Sequence, residues 1–484
     1  MARPTALART VVGPLALACA AVAAGVACNE LKRVDGAEAD GADASADPAD
    51  GAGERGAVGL DAGANEASLL TPPADHACTE PWSKPTKSDA TCAPRRIVVV
   101  DEGAPAVRAV SIARTPRGRI GIAFHAPSSP DEGELRLVHF VPETPAFTKA
   151  LVREPADFIG IQKGFHVRLG ASAPDDLHVL SHDVEDGTSG DVVHRRLVSG
   201  KAPLTNAEAV FAAVPSKTEI GLLVDGAGDA YATARVVSTT TDGGVPLWKV
   251  VIRRKAAGGP FAPLPDVADG MRVDVAPDIG ATSAARASDG SIGLLYHHAE
   301  STFWSAPRFV AFDGTAWSSP KTAESPPPQG IAGANPRLAI HGTRKYAAYF
   351  SRKSQPAETA TAELRLATWS LSSEFPTVEV IAEGIPSPKP MDPRYRVAMA
   401  VDPHGLVHLV IAHPSNTLGG MLEYRRQTRV GDRVVWLRDI VDEDVISSDV
   451  APAVDLVVDE DSRPHIAYVS AIDLGVRYAT RFDR

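Results

Sequence analysis

From residue 96 onward the chain repeats one pattern of polar and apolar positions. Each repeat has a tight turn followed by a strand of mostly apolar residues, as in the turn Asp402-Pro403-His404-Gly405 and the strand after it. The turn residues in register are Gly118, Asp175, Gly228, Gly290, Thr343, Gly405 and Ser462. Their spacing of roughly 50 to 60 residues is the length of a four-stranded blade. The pattern predicts an all-β fold, a β-propeller of about seven four-stranded blades over residues 96–484.

The strand after each turn is apolar or small at positions four and five in every repeat. Both of its faces are expected to be buried between neighbouring blades, because a strand with one solvent face would alternate. Residues 364–369 and 476–481 have the pattern of third strands, and residues 378–384 that of a fourth. The last repeat has no fourth strand, whereas residues 96–103 have that pattern ahead of the first repeat. We therefore expect this N-terminal strand to close the ring on the last blade.

The Asp-x-x-Gly turn followed by an apolar strand resembles the sialidase-like (BNR-type) propellers of exported bacterial proteins. The resemblance extends over residues 96–484, about four-fifths of the chain. The Asp box of that family is not intact, its nearest approach being Ser288-Asp289-Gly290, and the family's early Phe-Arg-Ile-Pro motif is absent. The resemblance therefore implies the fold and little about catalysis.

The N-terminus has the pattern of a secretory signal peptide over residues 1–27. Arg3 and Arg9 precede an uncharged, Ala/Val-rich run that is short for a transmembrane anchor, which is the alternative interpretation. The sequence before Cys28 resembles the lipobox of bacterial lipoproteins, which implies acylation of the Cys28 thiol. Ordinary cleavage after Ala23 is the alternative, because Gly25 stands where the lipobox usually has a branched aliphatic residue.

An acidic, disordered linker is predicted over residues 28–77. Between residues 34 and 66 nine acidic residues face a single arginine, with almost no large apolar side chain to support folding. Cys78 and Cys92 remain as a pair in an oxidising compartment, which predicts a disulfide-closed segment over residues 78–95. A metal or redox pair is the alternative, but His76 is the nearest further ligand in the sequence.

Charge and motifs exclude several classes of function. The formal net charge is −11, and the repeat region is itself mildly acidic, so nucleic acid is not an expected partner. The sequence has no H-E-x-x-H, no G-x-S-x-G, no Walker loop and no Gly-rich dinucleotide turn. No cofactor and no metal site are expected, and the protein is expected to act as a monomer.

Polar residues recur at the far end of the strand that follows the turn. Seven residues past the turn stand His125, His182, Arg235 and His297 in four consecutive repeats, and His298 and His413 stand one place further on. This end of the strand leads to the face formed by the loops between second and third strands, which we call the loop face. Arginine and neutral histidine suit an anionic or polyhydroxylated ligand. We predict that these six residues bind the ligand. The alternative interpretation is that they are polar only because strand ends commonly are, without a role in binding.

Three residues past the turn stand His178, His408 and His465, for which we expect a structural role with the polar tip bonded between blades. As a whole, the sequence predicts an exported, membrane-anchored lipoprotein, periplasmic or at the cell surface, or alternatively a secreted protein. Its propeller is expected to bind a glycan or a surface protein without catalysis. The alternative function is that of a sialidase-like glycosidase or a polysaccharide lyase, in which one of the histidines would act as acid or base.

Overall fold

The structure is a computed structural model. It describes residues 95–101, 109–129, 132–142, 150–154, 161–185, 188–216, 218–272, 282–301, 304–324, 330–353, 361–370, 376–386, 396–413, 420–443, 445, 453–470 and 475–481. Residues 1–94 lie outside this set, and with them the predicted signal peptide, the linker, Cys28, Cys78 and Cys92. Within the described residues no helix is long and apolar enough to cross a membrane.

The described chain is all-β and forms seven blades. The first strand in the sequence is β1 (Arg95–Asp101). Blade 1 contains β2 (Val110–Arg114), β3 (Ile120–Ser129), β4 (Glu132–Phe140) and β5 (Ala150–Glu154). Blade 2 contains β6 (Ile161–Ser172), β7 (Asp176–Glu185), β8 (Ser189–Leu197) and β9 (Glu208–Pro215). Blade 3 contains β10 (Gly221–Val224), β11 (Ala230–Asp242), β12 (Val245–Lys255), β13 (Phe261–Pro263) and β14 (Val267–Arg272).

The remaining strands complete the ring. Blade 4 contains β15 (Thr282–Arg286), β16 (Ile292–Ser301), β17 (Trp304–Phe312) and β18 (Lys321–Thr322). Blade 5 contains β19 (Gly330–His341), β20 (Arg344–Lys353), β21 (Thr361–Ser370) and β22 (Thr377–Pro386). Blade 6 contains β23 (Arg396–Val401), β24 (Val407–His413), β25 (Met421–Val430) and β26 (Arg433–Glu443). Blade 7 contains β27 (Val454–Val458), β28 (Pro464–Val469) and β29 (Val476–Arg481).

Strand pairing is antiparallel and follows the chain within each blade. Two blades depart from the regular form, since β13 and β14 share the fourth position of blade 3 and β18 has only two residues. The fourth strand of blade 7 is β1, which pairs with β29 from Arg95 opposite Arg481 to Asp101 opposite Val476. The predicted closure of the ring by the N-terminal strand is therefore confirmed, and with β1 blade 7 has four strands.

The second strand of each blade is buried on both faces, as its unbroken run of apolar and small residues predicts. One apolar cluster of described residues lies at each of the seven junctions between blades. In β24, Leu409 and Ile411 belong to the cluster shared with blade 5, whereas Val410 and Ala412 belong to the one shared with blade 7. Alternate residues of one strand thus fill two different cores, which is why the strand does not alternate in polarity.

The turns between the first and second strands of blades 3, 6 and 7 are built in the same way, around the carboxylates of Asp225, Asp402 and Asp459. The Asp402 carboxylate accepts hydrogen bonds from the backbone N–H of His404 and of Leu406, and Asp459 repeats this in blade 7. Gly405 follows at φ 79°, a conformation that favours glycine, and Ser462 adopts it at φ 62°. At the corresponding turn of blade 5 the residue of positive φ is Gly342, one place before the predicted Thr343.

Candidate axial arginine site

The first strand of each blade lies at the centre of the ring, because it contacts the first strands of both neighbouring blades. The pairing with the second strand places one residue of each first strand at the same height. We call these seven residues the axial ring: Ser111, Arg168, Gly221, Ser283, Arg337, Ala398 and Asp455. None of the seven is a large apolar residue.

Side chains of the axial ring bind backbone groups of the next blade. Ser111 Oγ accepts a hydrogen bond from the N–H of Leu169 at 3.0 Å, and Ser283 Oγ accepts one from Leu338 at 2.9 Å. Asp455 Oδ2 accepts from Ile112 N–H at 3.1 Å and from the Ser111 hydroxyl at 2.6 Å. A first strand is the inner edge of its sheet, so these bonds satisfy N–H groups that its own blade leaves unpaired.

Three arginines from three blades meet around one carboxylate at the axis. The carboxylate is that of Glu219, which lies just before β10 of blade 3. Arg168 Nη2 of blade 2 lies 3.1 Å from its Oε2, Arg337 Nη2 of blade 5 lies 3.9 Å from the same oxygen, and Arg396 Nη2 of blade 6 lies 3.5 Å from its Oε1. We call these four residues the axial arginine site. Their side chains are between 13% and 23% exposed.

Asn335 holds one of these arginines in place. Its Oδ1 accepts a hydrogen bond from Arg396 Nη1 at 2.8 Å. Asn335 has φ 48°, and it lies in a bulge of β19 where the register shifts between Ala334 and Arg337. The extra residue of the bulge turns both Asn335 and Arg337 toward the axis, a use of backbone irregularity that is typical of functional sites.

His166 lies beside the site on β6. Its Nε2 is 2.8 Å from the carbonyl oxygen of Ser216, and its ring stacks on that of His182 with the centroids 5.8 Å apart. Burial and the neighbouring His182 lower the pKa of His166 to about 4. The imidazole is therefore neutral at physiological pH and adds no charge to the site.

The arginines dominate the electrostatics of the axial site. Burial raises the pKa of the Glu219 carboxyl, but Arg396, Arg168 and Arg337 outweigh it and hold that pKa well below its usual range. Burial lowers the pKa of Arg337 to about 10, which leaves the guanidinium charged at neutral pH. Three positive charges therefore face the carboxylate of Glu219, and Asp455 of the axial ring acts on Arg337 as a second negative charge; the remaining positive excess suits an anion.

The predicted ligand-binding residues lie on the second strands, behind the axial site. His125, His182, Arg235 and His297 are fully buried, and His298 is 6% exposed. Arg235 Nη2 donates to the carbonyl oxygen of His297 in the next blade at 2.6 Å, and His182 Nε2 lies 3.0 Å from the carbonyl oxygen of Val214. These side chains lie between blades rather than on an open depression. Contact between them and a ligand stays a prediction.

The sixth predicted residue, His413, belongs to a different group of side chains. Its Nε2 lies 3.1 Å from Oε1 of Glu423 on β25 of the same blade. Glu423 also accepts hydrogen bonds from Arg425 and Arg438. His413 is thus part of a charged cluster in blade 6, which is separate from the contacts of the other five residues.

The expectation that His408 and His465 bond between blades is wrong. His408 Nδ1 lies 2.6 Å from the Tyr424 hydroxyl, and His465 Nδ1 lies 2.7 Å from the Tyr478 hydroxyl, each within its own blade. His178 likewise lies 2.9 Å from Ser172 Oγ and 3.1 Å from His194 Nε2 within blade 2. The third strand of the same sheet lies next to this position, so the imidazole contacts a side chain of the third strand and not the next blade.

A lateral groove between blades 2 and 3 has a cavity volume of about 500 Å³. Phe211, Val236 and Val251 line it together with the charged Lys249, Arg253 and Asp266. Lys249 and Asp266 at its side form an ion pair with each other at 2.7 Å. The groove therefore offers less convergent charge than the axial site.

No protein family and no curated protein matches the sequence. Similar solved structures include a Dyadobacter fermentans protein of unknown function, at 12% identity and TM-score 0.44 over 81% of this chain and 99% of that one. A Penicillium chrysogenum alpha-L-arabinanase has 11% identity and TM-score 0.44 over 79% and 97%. A Trypanosoma rangeli sialidase has 11% identity and TM-score 0.37 over 80% of this chain and 60% of that one. The seven-bladed propeller implied by the sequence is confirmed by the strand order.

Proposed function

We propose that this chain is a binding propeller that takes an acidic glycan at its axial arginine site. One observation supports this above the others: guanidinium groups from blades 2, 5 and 6 converge on a single carboxylate at the axis. Burying three like charges together is unfavourable unless anions compensate them. Glu219 supplies one such anion and Asp455 acts on Arg337 as a second, and the carboxylate of a ligand would balance the remaining positive charge.

The surroundings of the arginines suit a sugar acid. A guanidinium binds a carboxylate through two parallel N–H groups, which makes arginine a better carboxylate receptor than lysine. Ser283 and Asn335 stand partly exposed at the axis beside Arg337, and they offer hydroxyl and amide groups for sugar hydroxyls. Acidic charge and hydroxyls together distinguish an acidic glycan from a simple anion.

The site favours binding over catalysis. A glycosidase needs a carboxylic acid that can give up a proton near neutral pH. The arginines hold the Glu219 pKa far below that range, so this carboxylate acts as a fixed negative charge rather than as a proton donor. A glycosidase or lyase activity is therefore the alternative that the experiment below must also address.

The experiment compares binding of acidic and neutral oligosaccharides by the full chain. We expect a uronic acid oligomer to bind and its neutral counterpart to bind at least ten times more weakly. The variant Arg337→Gln should lose about tenfold in affinity for the acidic oligomer, equal to about 1.4 kcal/mol. Arg344→Gln is the matched control, because Arg344 is exposed at the turn end of the same blade.

Two results would contradict the proposal. The first is equal affinity of the wild-type chain for acidic and neutral oligomers, and the second is unchanged acidic binding in Arg337→Gln. Release of new reducing ends or unsaturated products by the wild-type chain would establish the enzymatic alternative instead.

We also propose that the propeller is exported and held at a membrane by its N-terminus. The support comes from the signal-like residues 1–27 and from Cys28 in its lipobox-like context. Multiple acyl chains, rather than one, hold a protein stably at a bilayer. Export would bring the propeller to the compartment where polysaccharides of cell envelopes and surroundings are found.

A further inference from the structure

The lateral groove between blades 2 and 3 has one wall from each blade. Its blade 3 wall is the face of β12 that bears Lys249, Val251 and Arg253, whose cross-strand partners on β11 face the apolar core shared with blade 2. Its blade 2 wall is β9, in which Ala212 and Ala213 stand together opposite a single residue of β8. This bulge brings two small, exposed side chains to the groove, which leaves room for the cavity of about 500 Å³.

Three basic side chains lie along this face of β12, and two of them are paired with acidic residues. Lys249 Nζ pairs with Asp266 at 2.7 Å, and Lys255 Nζ pairs with Glu208 of β9 at 2.5 Å. Arg253 lies between these two ion pairs and lines the groove, and its side chain makes neither a hydrogen bond nor an ion pair with any described residue. Arg253 therefore brings a positive charge to the groove that the described part of the chain does not balance.

The Phe211 ring holds the guanidinium of Arg253 in place. Arg253 Cζ lies 5.4 Å from the centroid of this ring, and Phe211 is itself buried in the core between the two blades. An aromatic face attracts the cation without supplying the oxygen acceptors that its N–H groups bind. The guanidinium is thus anchored and can still bind a carboxylate through two parallel N–H groups.

The remaining side chains that line the groove are apolar. Among the described lining residues, all but Lys249, Arg253 and Asp266 are apolar, and none has a hydroxyl or amide side chain. A polyhydroxylated ligand would find few side-chain partners there, whereas methylene groups would be removed from water against Val236 and Val251. One anchored cation beside apolar side chains therefore matches an amphipathic anion.

We infer that the lateral groove binds a medium-chain aliphatic carboxylate, with the carboxylate on Arg253 and the chain directed along β12 toward Lys249. This site is separate from the axial arginine site and does not depend on the function proposed for it. From Arg253 to Lys249 the strand advances by about 13 Å, the length of about twelve covalent bonds in an extended chain. The ion pair of Lys249 with Asp266 ends the apolar part of the groove, so a chain of about ten carbons should fill it.

The test measures how affinity depends on the charge and length of the ligand. In calorimetric titrations of the full chain below micelle-forming concentrations, affinity should rise about fourfold from hexanoate to octanoate and again to decanoate, about half of the gain expected for full burial. Dodecanoate should bind no tighter than decanoate. Octanol, which lacks the carboxylate, should bind at least about tenfold more weakly than octanoate.

Variants in the groove separate the carboxylate contact from the chain contacts. Arg253→Gln should lose about tenfold in affinity for decanoate and none for octanol, and Arg253→Lys should recover part of the loss, because it keeps the charge without the planar fork. Arg254→Gln is the matched control, since Arg254 lies on the other face of β12 and pairs with Asp229 at 2.7 Å, and it should change neither affinity. Ala212→Trp, at an exposed position of the bulge, should fill the groove and abolish binding of both ligands.

Several outcomes would overturn this inference. Equal affinity for octanoate and octanol would do so, as would a decanoate affinity that neither Arg253→Gln nor Ala212→Trp changes. Acetate that binds as tightly as decanoate would overturn the assignment to an aliphatic chain. An acetylated tripeptide ending in valine that binds more tightly than decanoate would assign the groove to a peptide C-terminus instead. Binding of the uronic acid oligomer should be the same in Arg253→Gln as in the wild-type chain, and a loss of both ligands in that variant would contradict two separate sites.

Discussion

Asp455 should be one of the most sensitive positions for stability, because it closes the ring at the axis. Blade 7 and blade 1 are joined at the rim by β1 and near the axis by the Asp455 carboxylate, which accepts from Ile112 N–H and from the Ser111 hydroxyl. In Asp455→Ala both donors lose their acceptor. Hydrogen bonds to a charged group contribute about 1.5–3 kcal/mol each, and the partial exposure of Asp455 places the total near 3 kcal/mol.

This free energy converts to a measurable change in melting temperature. Unfolding entropy is about 2.1 cal/mol/K per residue, which for the roughly 390 residues of the propeller amounts to about 0.8 kcal/mol/K. A loss of about 3 kcal/mol should therefore lower Tm by about 4 °C in differential scanning calorimetry. Asp455→Asn should lose about half as much, since both bonds go to one oxygen and an amide oxygen can still accept both, but without the negative charge that strengthens them.

Asp461→Asn is the matched control for this measurement. Asp461 lies in the same blade with a side chain 64% exposed, and its ion pair with Arg463 is of the exposed kind that contributes little. Its Tm should stay within about 1 °C of the wild-type value, from a stability change within about 0.5 kcal/mol. Equal shifts in Asp455→Ala and Asp461→Asn would refute the reasoning, since they would mean that the axial bonds add nothing to closure.

Three further predictions follow from the buried groups and the N-terminus. Arg235→Ala should lower Tm by more than Arg253→Ala on the neighbouring strand, because Arg235 is fully buried and bonds the His297 carbonyl; an unchanged Tm would mean that Arg235 is kept for ligand contact. Burial, together with the nearby cations Arg196 and Lys255, lowers the pKa of His178 to about 4 and that of His194 to about 3. As the pH falls, the unfolded chain therefore takes up protons on these two histidines before the folded chain does. The stability that the neutral histidines contribute is present above pH 6.5 and is lost as the pH falls toward 4 and 3. His194→Gln should therefore flatten the decline of Tm between pH 6.5 and 4. Cys28→Ser should move the protein from the membrane to the soluble fraction, and unchanged partitioning would defeat the lipid anchor.

The sequence by itself determined the fold, because each blade repeats the same local signals. The turn at Gly405 or Ser462, the Asp three residues before it and the two-sided apolar strand after it are all local signals, and the turn and the strand recur at blade length. Closure by β1 was also readable, since a missing fourth strand at one end and a surplus strand at the other have one economical solution.

The sequence indicated that polar side chains gather at one end of the strands. It did not indicate that the axial arginine site is formed on the first strands and not on the second strands. His125, His182, Arg235 and His297 stand out because they interrupt apolar strands, and the structure shows them buried there. The axial ring left a weaker signal, a small or polar residue six or seven places before each turn. Such a residue is typical of any edge strand, so it did not distinguish the axis from the surface.

Only the tertiary structure decided the composition of the axial arginine site. Arg168, Glu219, Arg337 and Arg396 come from four blades and are separated by up to 228 residues, so no local pattern joins them. The bulge at Asn335 shifts the register of β19 by one residue, which a repeat alignment cannot place in advance. Convergence at the axis is a property of ring closure, and it arises only when all seven first strands are brought together.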